Sequence, residues 1–215
     1  MKMILILFAL LGMVARTPGQ GTLLFANYVN GILLAPIFGA EPTDPTAQKH
    51  GQSLLGIPSG STVYSGPLLS GPGFTVALYA GPLGTPAESL QLAATSTFRT
   101  ATINDLPAGL WLPSVISIPG LAAGERVTVD VRVWDNQGGT ITTWQQVLQN
   151  ALIARGSSGA FSPLGLLGTL SSSFTDSPLI LVGLTSFNLG TVVPEPAVFA
   201  LLGLGLLLFF RRKFA

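Results

Sequence analysis

The sequence contains no cysteine among its 215 residues and only one histidine, His50. Disulfide bonds and thiolate metal sites are therefore excluded, and stability must come from a core or from packing into a larger assembly. A Ser-His-Asp triad would depend on His50, which lies among prolines, and no G-x-S-x-G, Walker A or HExxH pattern occurs. We therefore expect a protein that is not an enzyme and that holds no metal and no cofactor.

Charged residues are also scarce, at 9% of the chain against about 25% in a typical domain. Residues 20–192 contain five basic and eight acidic side chains, so this part carries a net charge of −3. A mildly acidic body lacks the basic surface that nucleic-acid binding requires, and no nucleic-acid partner is expected. Its polarity comes from Ser, Thr, Asn and Gln, which suits an extracellular or matrix setting.

The first 19 residues have the pattern of a secretory signal peptide. Lys2 supplies the positive charge and residues 4–15 supply the apolar core. Thr17 and Gly19 are the small residues that precede a cleavage site after Gly19. The pattern predicts an N-terminal signal helix and export of the chain from Gln20 onward, and the alternative is an uncleaved N-terminal anchor.

A second apolar stretch, residues 197–210, has no polar side chain. Its even apolarity favours a transmembrane helix, and the basic residues behind it would keep the C-terminus in the cytoplasm. Fourteen residues span about 21 Å as a helix against about 30 Å of hydrocarbon, so a buried core helix is the alternative. The stretch is preceded by Val193, Pro194, Glu195 and Pro196 and followed by Arg211, Arg212 and Lys213.

This tail resembles the PEP-CTERM sorting signal of bacterial exported proteins, which is also labelled an ice-binding protein C-terminal domain. The resemblance implies that exosortase, a membrane transpeptidase, recognises Pro194, Glu195 and Pro196 and removes the tail near them. It further implies transient residence in the inner membrane, then delivery to the cell surface or to the exopolysaccharide matrix. The alternative is a plain anchor that is never processed. The stretches QGTLLFANYVN and GFTVALYAG also resemble small exported proteins of this kind from Verrucomicrobia-like bacteria.

The body between the two ends is predicted to consist of strands. Residues 126–135, RVTVDVRVWD, alternate most clearly, with four valines on one face and a wet opposite face formed by Thr128, Asp130, Arg132 and Trp134. Further strands are predicted at residues 20–30, 73–81, 96–102, 115–118, 160–170 and 179–188, a helix at 144–155 and a surface loop at 41–53.

Seven to nine short strands separated by Gly and Pro turns predict an all-β fold, an antiparallel β-sandwich of which the immunoglobulin-like arrangement is one form. The predicted organisation is a signal peptide at 1–19, an exported domain at 20–192 and a sorting signal at 193–215. The predicted function is that of a non-enzymatic exported protein sorted by exosortase. The alternative is a surface-displayed carbohydrate-binding module.

Binding residues are predicted on the wet faces of two strands. Trp134 and Tyr79 would form a stacking platform for sugars, and the alternative for both rings is packing. Asp130 and Arg132 share a face and are expected to form a surface ion pair. Asp130 and Asp135 fall on opposite faces, so no acid–base pair is predicted. A calcium site at Asp130, Asp135 and Asn136 would lack the usual loop motif.

Overall fold

The computed structural model describes residues 20–100, 108–168 and 177–192. Strands dominate these ranges and helix is rare, so the predicted all-β class is confirmed. The predicted signal helix and transmembrane helix lie outside the described residues. The elements are β1 (Gln20–Phe25), β2 (Tyr28–Val29), β3 (Leu33–Leu34), β4 (Phe74–Pro82), β5 (Gln91–Thr97), β6 (Ser114–Ala122), β7 (Val127–Asp135), α1 (Trp144–Gln149), β8 (Arg155–Ser157) and β9 (Leu179–Ile180).

Two sheets enclose the core. One has the order β5-β4-β7-β8 and is antiparallel throughout, and the other has the order β6-β1-β9. The pairing of β1 with β9 is parallel, so the prediction of a purely antiparallel structure is wrong at this edge. Inward side chains from both sheets form one buried cluster, which includes Leu23, Phe25, Val76, Leu78, Ile118, Val129, Val131 and Leu179.

Strand β7 is buried on both faces. Its four valines, Val127, Val129, Val131 and Val133, point into the main core, as their spacing predicts. The opposite face is also buried from Thr128 to Trp134, because β7 is a central strand and the chain after it folds back across that face. The prediction of a wet face on this strand is therefore wrong.

Helix α1 provides part of that cover, but it is shorter than predicted. A capping box starts it: Gln146 N–H donates to Thr143 Oγ1 at 3.3 Å, and Thr143 N–H donates to Gln146 Oε1 at 3.1 Å. The helix ends at Gln149, and Arg155 Nη1 then donates to the carbonyl oxygen of Val147 at 2.8 Å. The helix predicted up to residue 155 ends early because Arg155 is the first residue of β8, so the chain turns between Gln149 and Arg155.

Other strands begin or end at residues different from those predicted. The strand predicted at 96–102 is found earlier, as β5. The short strand predicted at 115–118 belongs to the longer β6. Parts of the strands predicted at 96–102 and 160–170 lie outside the described residues. In residues 181–190 single bridges replace the continuous strand predicted up to 188.

The segment at residues 41–53 is a surface loop, as predicted, and it is anchored to the body at a few buried points. Glu41 is only 4% exposed and its Oε2 lies 2.9 Å from Lys49 Nζ, while Ser65 N–H donates to its Oε1 at 3.2 Å. Lys49 N–H donates to Asn188 Oδ1 at 2.6 Å, which fixes this segment along the last described residues. The ion pair and these hydrogen bonds hold the loop against the body, which the sequence pattern does not predict.

The Glu41–Lys49 pair predicts a specific loss of stability in acid. Burial raises the pKa of the Glu41 carboxyl, but Lys49 and the Ser65 N–H outweigh this effect, so the pKa lies below its ordinary value of 4.5. A lowered folded-state pKa gives stability that is present above 4.5 and lost as the pH falls through the folded-state value.

We therefore expect the free energy of unfolding to fall as the pH drops below 4.5, and Glu41→Gln to make that fall shallower. Denaturant titrations over a series of pH values measure the effect. Lys49→Met should also make the fall shallower, since it removes the partner. Parallel pH curves for the wild type and Glu41→Gln would contradict the prediction.

Candidate functional site

The sorting tail leaves the body at a fixed point. Thr191 N–H donates to the carbonyl oxygen of Pro45 at 2.8 Å, and Val192 N–H donates to that of Ala151 at 3.0 Å. Gly190 and Arg155 exchange two backbone hydrogen bonds of 2.9 and 3.0 Å. Pro194 comes only two residues after Val192, so the predicted recognition motif adjoins the folded domain without a linker.

Close packing maintains this exit. Gly156, on β8, lies where an added Cβ would come within 2.6 Å of the carbonyl oxygen of Asn188. Only glycine lets the two backbones approach so closely. The segment that carries the tail is therefore packed directly against the edge of the four-stranded sheet.

The exit lies at the opposite end of the body from Gln20. Gln20 pairs with Ala122, beside the turn that leads into β7 at Val127. Arg155, which holds the exit, pairs with Trp134 near the other end of β7. Seven residues of strand separate Val127 from Trp134, which is about 23 Å. Gln20 therefore lies at one end of the body, and the chain passes into the tail at the other.

The predicted sorting residues themselves lie outside the described residues. They are Val193, Pro194, Glu195, Pro196, Arg211, Arg212 and Lys213. Among the residues that the structure does describe, no helix has the length and hydropathy needed to cross a bilayer.

The predicted sugar platform is not formed as expected. Trp134 is 1% exposed and packs with Ala77, Val147 and Ile153 beneath α1. Its Nε1–H donates to the carbonyl oxygen of Ile141 at 3.0 Å, and its ring centre lies 5.9 Å from that of Trp144. The prediction that Trp134 lies on a solvent-exposed face is wrong, because α1 and the turns beside it cover the ring.

Tyr79 is partly buried and covered by a cation. The Cζ atom of Arg132 lies 4.1 Å from the centre of the Tyr79 ring and 5.4 Å from that of Trp144. Burial raises the pKa of the Tyr79 phenol, and Arg132 opposes that shift. The guanidinium thus covers one face of the Tyr79 ring.

Arg132 is fixed in turn by Asp130. Its Nε–H donates to Asp130 Oδ2 at 2.7 Å, and its Nη2 donates to the carbonyl oxygen of Ala87 at 2.7 Å. Asp130 Oδ1 accepts from Ser157 Oγ at 2.6 Å and from Ser158 Oγ at 3.3 Å. The predicted surface ion pair is therefore a buried one, and no local pattern around Asp130 indicates the serines that complete it.

The acidic side chains of β7 are engaged in hydrogen bonds within the body. Both oxygens of Asp130 are engaged, and Asp135 Oδ1 accepts from the N–H of Gln137 at 2.9 Å. Asn136 closes the turn after β7 through Gly139 N–H, which donates to its Oδ1 at 3.0 Å. In the part of the chain that the structure describes, no three His, Cys, Asp or Glu side chains are grouped to hold a metal.

A β-rich body followed by a proline turn, an apolar run and a basic cluster defines an exported protein that is directed by its tail. Residues 192–213 match the PEP-CTERM protein-sorting motif. The chain is therefore a protein that carries a PEP-CTERM sorting signal, and the resemblance of its tail is confirmed. This motif implies export and processing by exosortase, a membrane enzyme. No curated protein and no solved structure is found to match the chain.

Proposed function

We propose that the folded body is a non-enzymatic cargo, which exosortase releases from its tail and delivers to the cell surface or the extracellular matrix. The match of residues 192–213 to the sorting motif carries this proposal. In the body, the acids Asp130 and Glu41 are both held in ion pairs that fix the fold. Such pairs stabilise packing and leave no free carboxylate for catalysis at these positions.

The route includes a membrane intermediate. Residues 197–210 span the inner membrane in this intermediate, and Arg211, Arg212 and Lys213 remain on the cytoplasmic side because translocating basic residues is unfavourable. The signal peptide at residues 1–19 starts export and is removed after Gly19. Exosortase then cleaves near Pro194, Glu195 and Pro196, directly below the fixed exit at Val192.

Mass spectrometry of the mature protein tests this route at both ends. The expected product begins at Gln20 and lacks the residues beyond the Pro-Glu-Pro motif. The control is the same chain expressed in a host without exosortase, which should retain its C-terminus. Mature protein from the native host that still ends at Ala215 would overturn the proposal.

The carbohydrate-binding alternative loses its predicted platform, since Trp134 is buried and Arg132 covers Tyr79. The prediction of a sugar site depends on these two rings. We therefore propose that the released body lies within the exopolysaccharide matrix, and that Trp134 and Tyr79 do not bind this polysaccharide. A pull-down with exopolysaccharide separates the two roles: specific retention of the folded body would favour the module.

A further inference from the structure

Exposed apolar side chains surround the point where the tail leaves the body. Leu148 on α1 is 51% exposed, Leu152 just after the helix is 76% exposed, and Val192 is 42% exposed. The hydrogen bond from Val192 N–H to the carbonyl oxygen of Ala151 places Val192 next to the segment that carries Leu152 and follows α1. We name Leu148, Leu152 and Val192 the exit face.

The exit face belongs to an uncharged part of the chain. Residues 136–154, which include all of α1, contain no acidic or basic side chain. Arg155 directs its Nη1 back to the carbonyl oxygens of Val147 and Asn150, at 2.8 and 3.2 Å. Residues 136–154 thus offer leucines, glutamines and threonines, which are tolerated at the boundary between lipid headgroups and acyl chains. The nearest acids are Asp44, which precedes Pro45, and Asp135, whose N–H donates to the carbonyl oxygen of Ala154.

The tail brings this face close to the bilayer. Four residues lie between Val192 and Ala197, where the apolar run begins, and the five steps from one Cα to the next extend at most about 18 Å. The headgroup region itself is roughly 5–8 Å thick on each side of the hydrocarbon. Because Val192 is fixed to the body, the end of the domain that must turn toward the headgroups is the one that carries Leu148 and Leu152.

The shortness of the apolar run draws the body closer still. Its 14 residues reach about 21 Å as a helix, some 9 Å less than the hydrocarbon thickness. A short span is accommodated by local thinning of the bilayer and by drawing its flanking residues inward. Apolar side chains beside the exit would then contact lipid favourably, whereas polar side chains there would oppose the approach of the body to the bilayer.

We propose that the exit face is a lipid-docking surface: while the tail is in the membrane, Leu148 and Leu152 insert among the lipid headgroups and seat the body on the bilayer. This inference rests on the proposed function, since it requires the membrane intermediate. Docking holds the Pro-Glu-Pro motif at the depth of the interface, where a membrane enzyme can meet it.

Site-specific labelling tests the docking, and the absence of native cysteine makes each label unique. The full chain carrying Leu152→Cys, labelled with an environment-sensitive fluorophore, is reconstituted into phosphatidylethanolamine–phosphatidylglycerol vesicles without exosortase. Leu164→Cys is the matched control, because Leu164 is 71% exposed and precedes by three residues Leu167, whose N–H donates to the carbonyl oxygen of Glu125 at the other end of the body. Leu148→Cys serves as a second probe of the exit face.

The expected result is loss of iodide quenching and a blue-shifted emission at positions 152 and 148, with full quenching at 164. Vesicles that float with the protein but leave label 152 as quenched as label 164 would overturn the docking and leave the sorting function standing. Protein that does not float with the vesicles would overturn the membrane intermediate and the docking together. Shielding that requires added exosortase would overturn the lipid as the occupant in favour of the enzyme.

Discussion

Glu195→Gln is expected to leave the chain as an unprocessed precursor that retains Ala215. Glu195 is the one charged residue in the Pro-Glu-Pro motif, and an ionised carboxylate forms hydrogen bonds about twice as strong as neutral ones. Removing one partner of a buried charged contact costs about 2–5 kcal/mol, which corresponds to at least about a thirtyfold loss in recognition. Immunoblotting of precursor and mature forms in a host with exosortase measures the change.

The matched control for this substitution is Glu88→Gln. Glu88 is exposed in the body and far from the tail in sequence, and its substitution removes the same charge. Normal processing of Glu88→Gln beside an arrested Glu195→Gln assigns the effect to the motif. Equal maturation of the two variants would show that the carboxylate takes no part in recognition.

Trp134→Ala is expected to lower the free energy of unfolding by about 3–5 kcal/mol, the usual range for removing a buried tryptophan. The substitution leaves a cavity under α1 and takes away the N–H that satisfies the carbonyl of Ile141. Denaturant unfolding followed by circular dichroism measures the loss. Any loss of glycan retention in this variant would then report unfolding and not a missing sugar contact.

An exposed residue provides the comparison for Trp134→Ala. Leu164→Ala, at a position that is 71% exposed, should change the free energy of unfolding by no more than about 0.5 kcal/mol. If Trp134→Ala were as mild as Leu164→Ala, the ring would have to be solvent-exposed in solution. Its assignment to the packed cluster beneath α1 would then fail.

The pattern of β7 shows what a sequence can predict about this fold. Alternation of valines with polar residues locates the strand within one residue and assigns its core face correctly. It does not predict burial of the other face, because the cover comes from residues outside the strand: α1, which follows β7, and the carbonyl of Ala87, which lies 45 residues before Arg132. From the sequence, Asp130 and Arg132 are therefore predicted to form a weak surface ion pair. In the structure the pair is buried, and Ser157 of β8 donates a hydrogen bond to Asp130.

The two candidate sites differ in the same way. The sorting signal is contiguous, so the order of proline, acid, apolar run and basic cluster is sufficient to predict it. The aromatic platform depends on tertiary structure, and the cover over each of its rings comes from residues that the strand pattern does not include. The surface loop at residues 41–53 is predicted correctly, but no local pattern indicates that Lys49 and Ser65 hold Glu41 in a buried position.

Gln20 and Val192 lie about one length of β7 apart, so the body has two distinct ends. With its exit at the bilayer and β7 along the membrane normal, the domain would hold Gln20 about 23 Å farther out, well beyond the Debye length of about 8 Å at physiological salt. A peptide inserted ahead of Gln20 would therefore be offered to the surrounding medium, clear of the membrane's own charge.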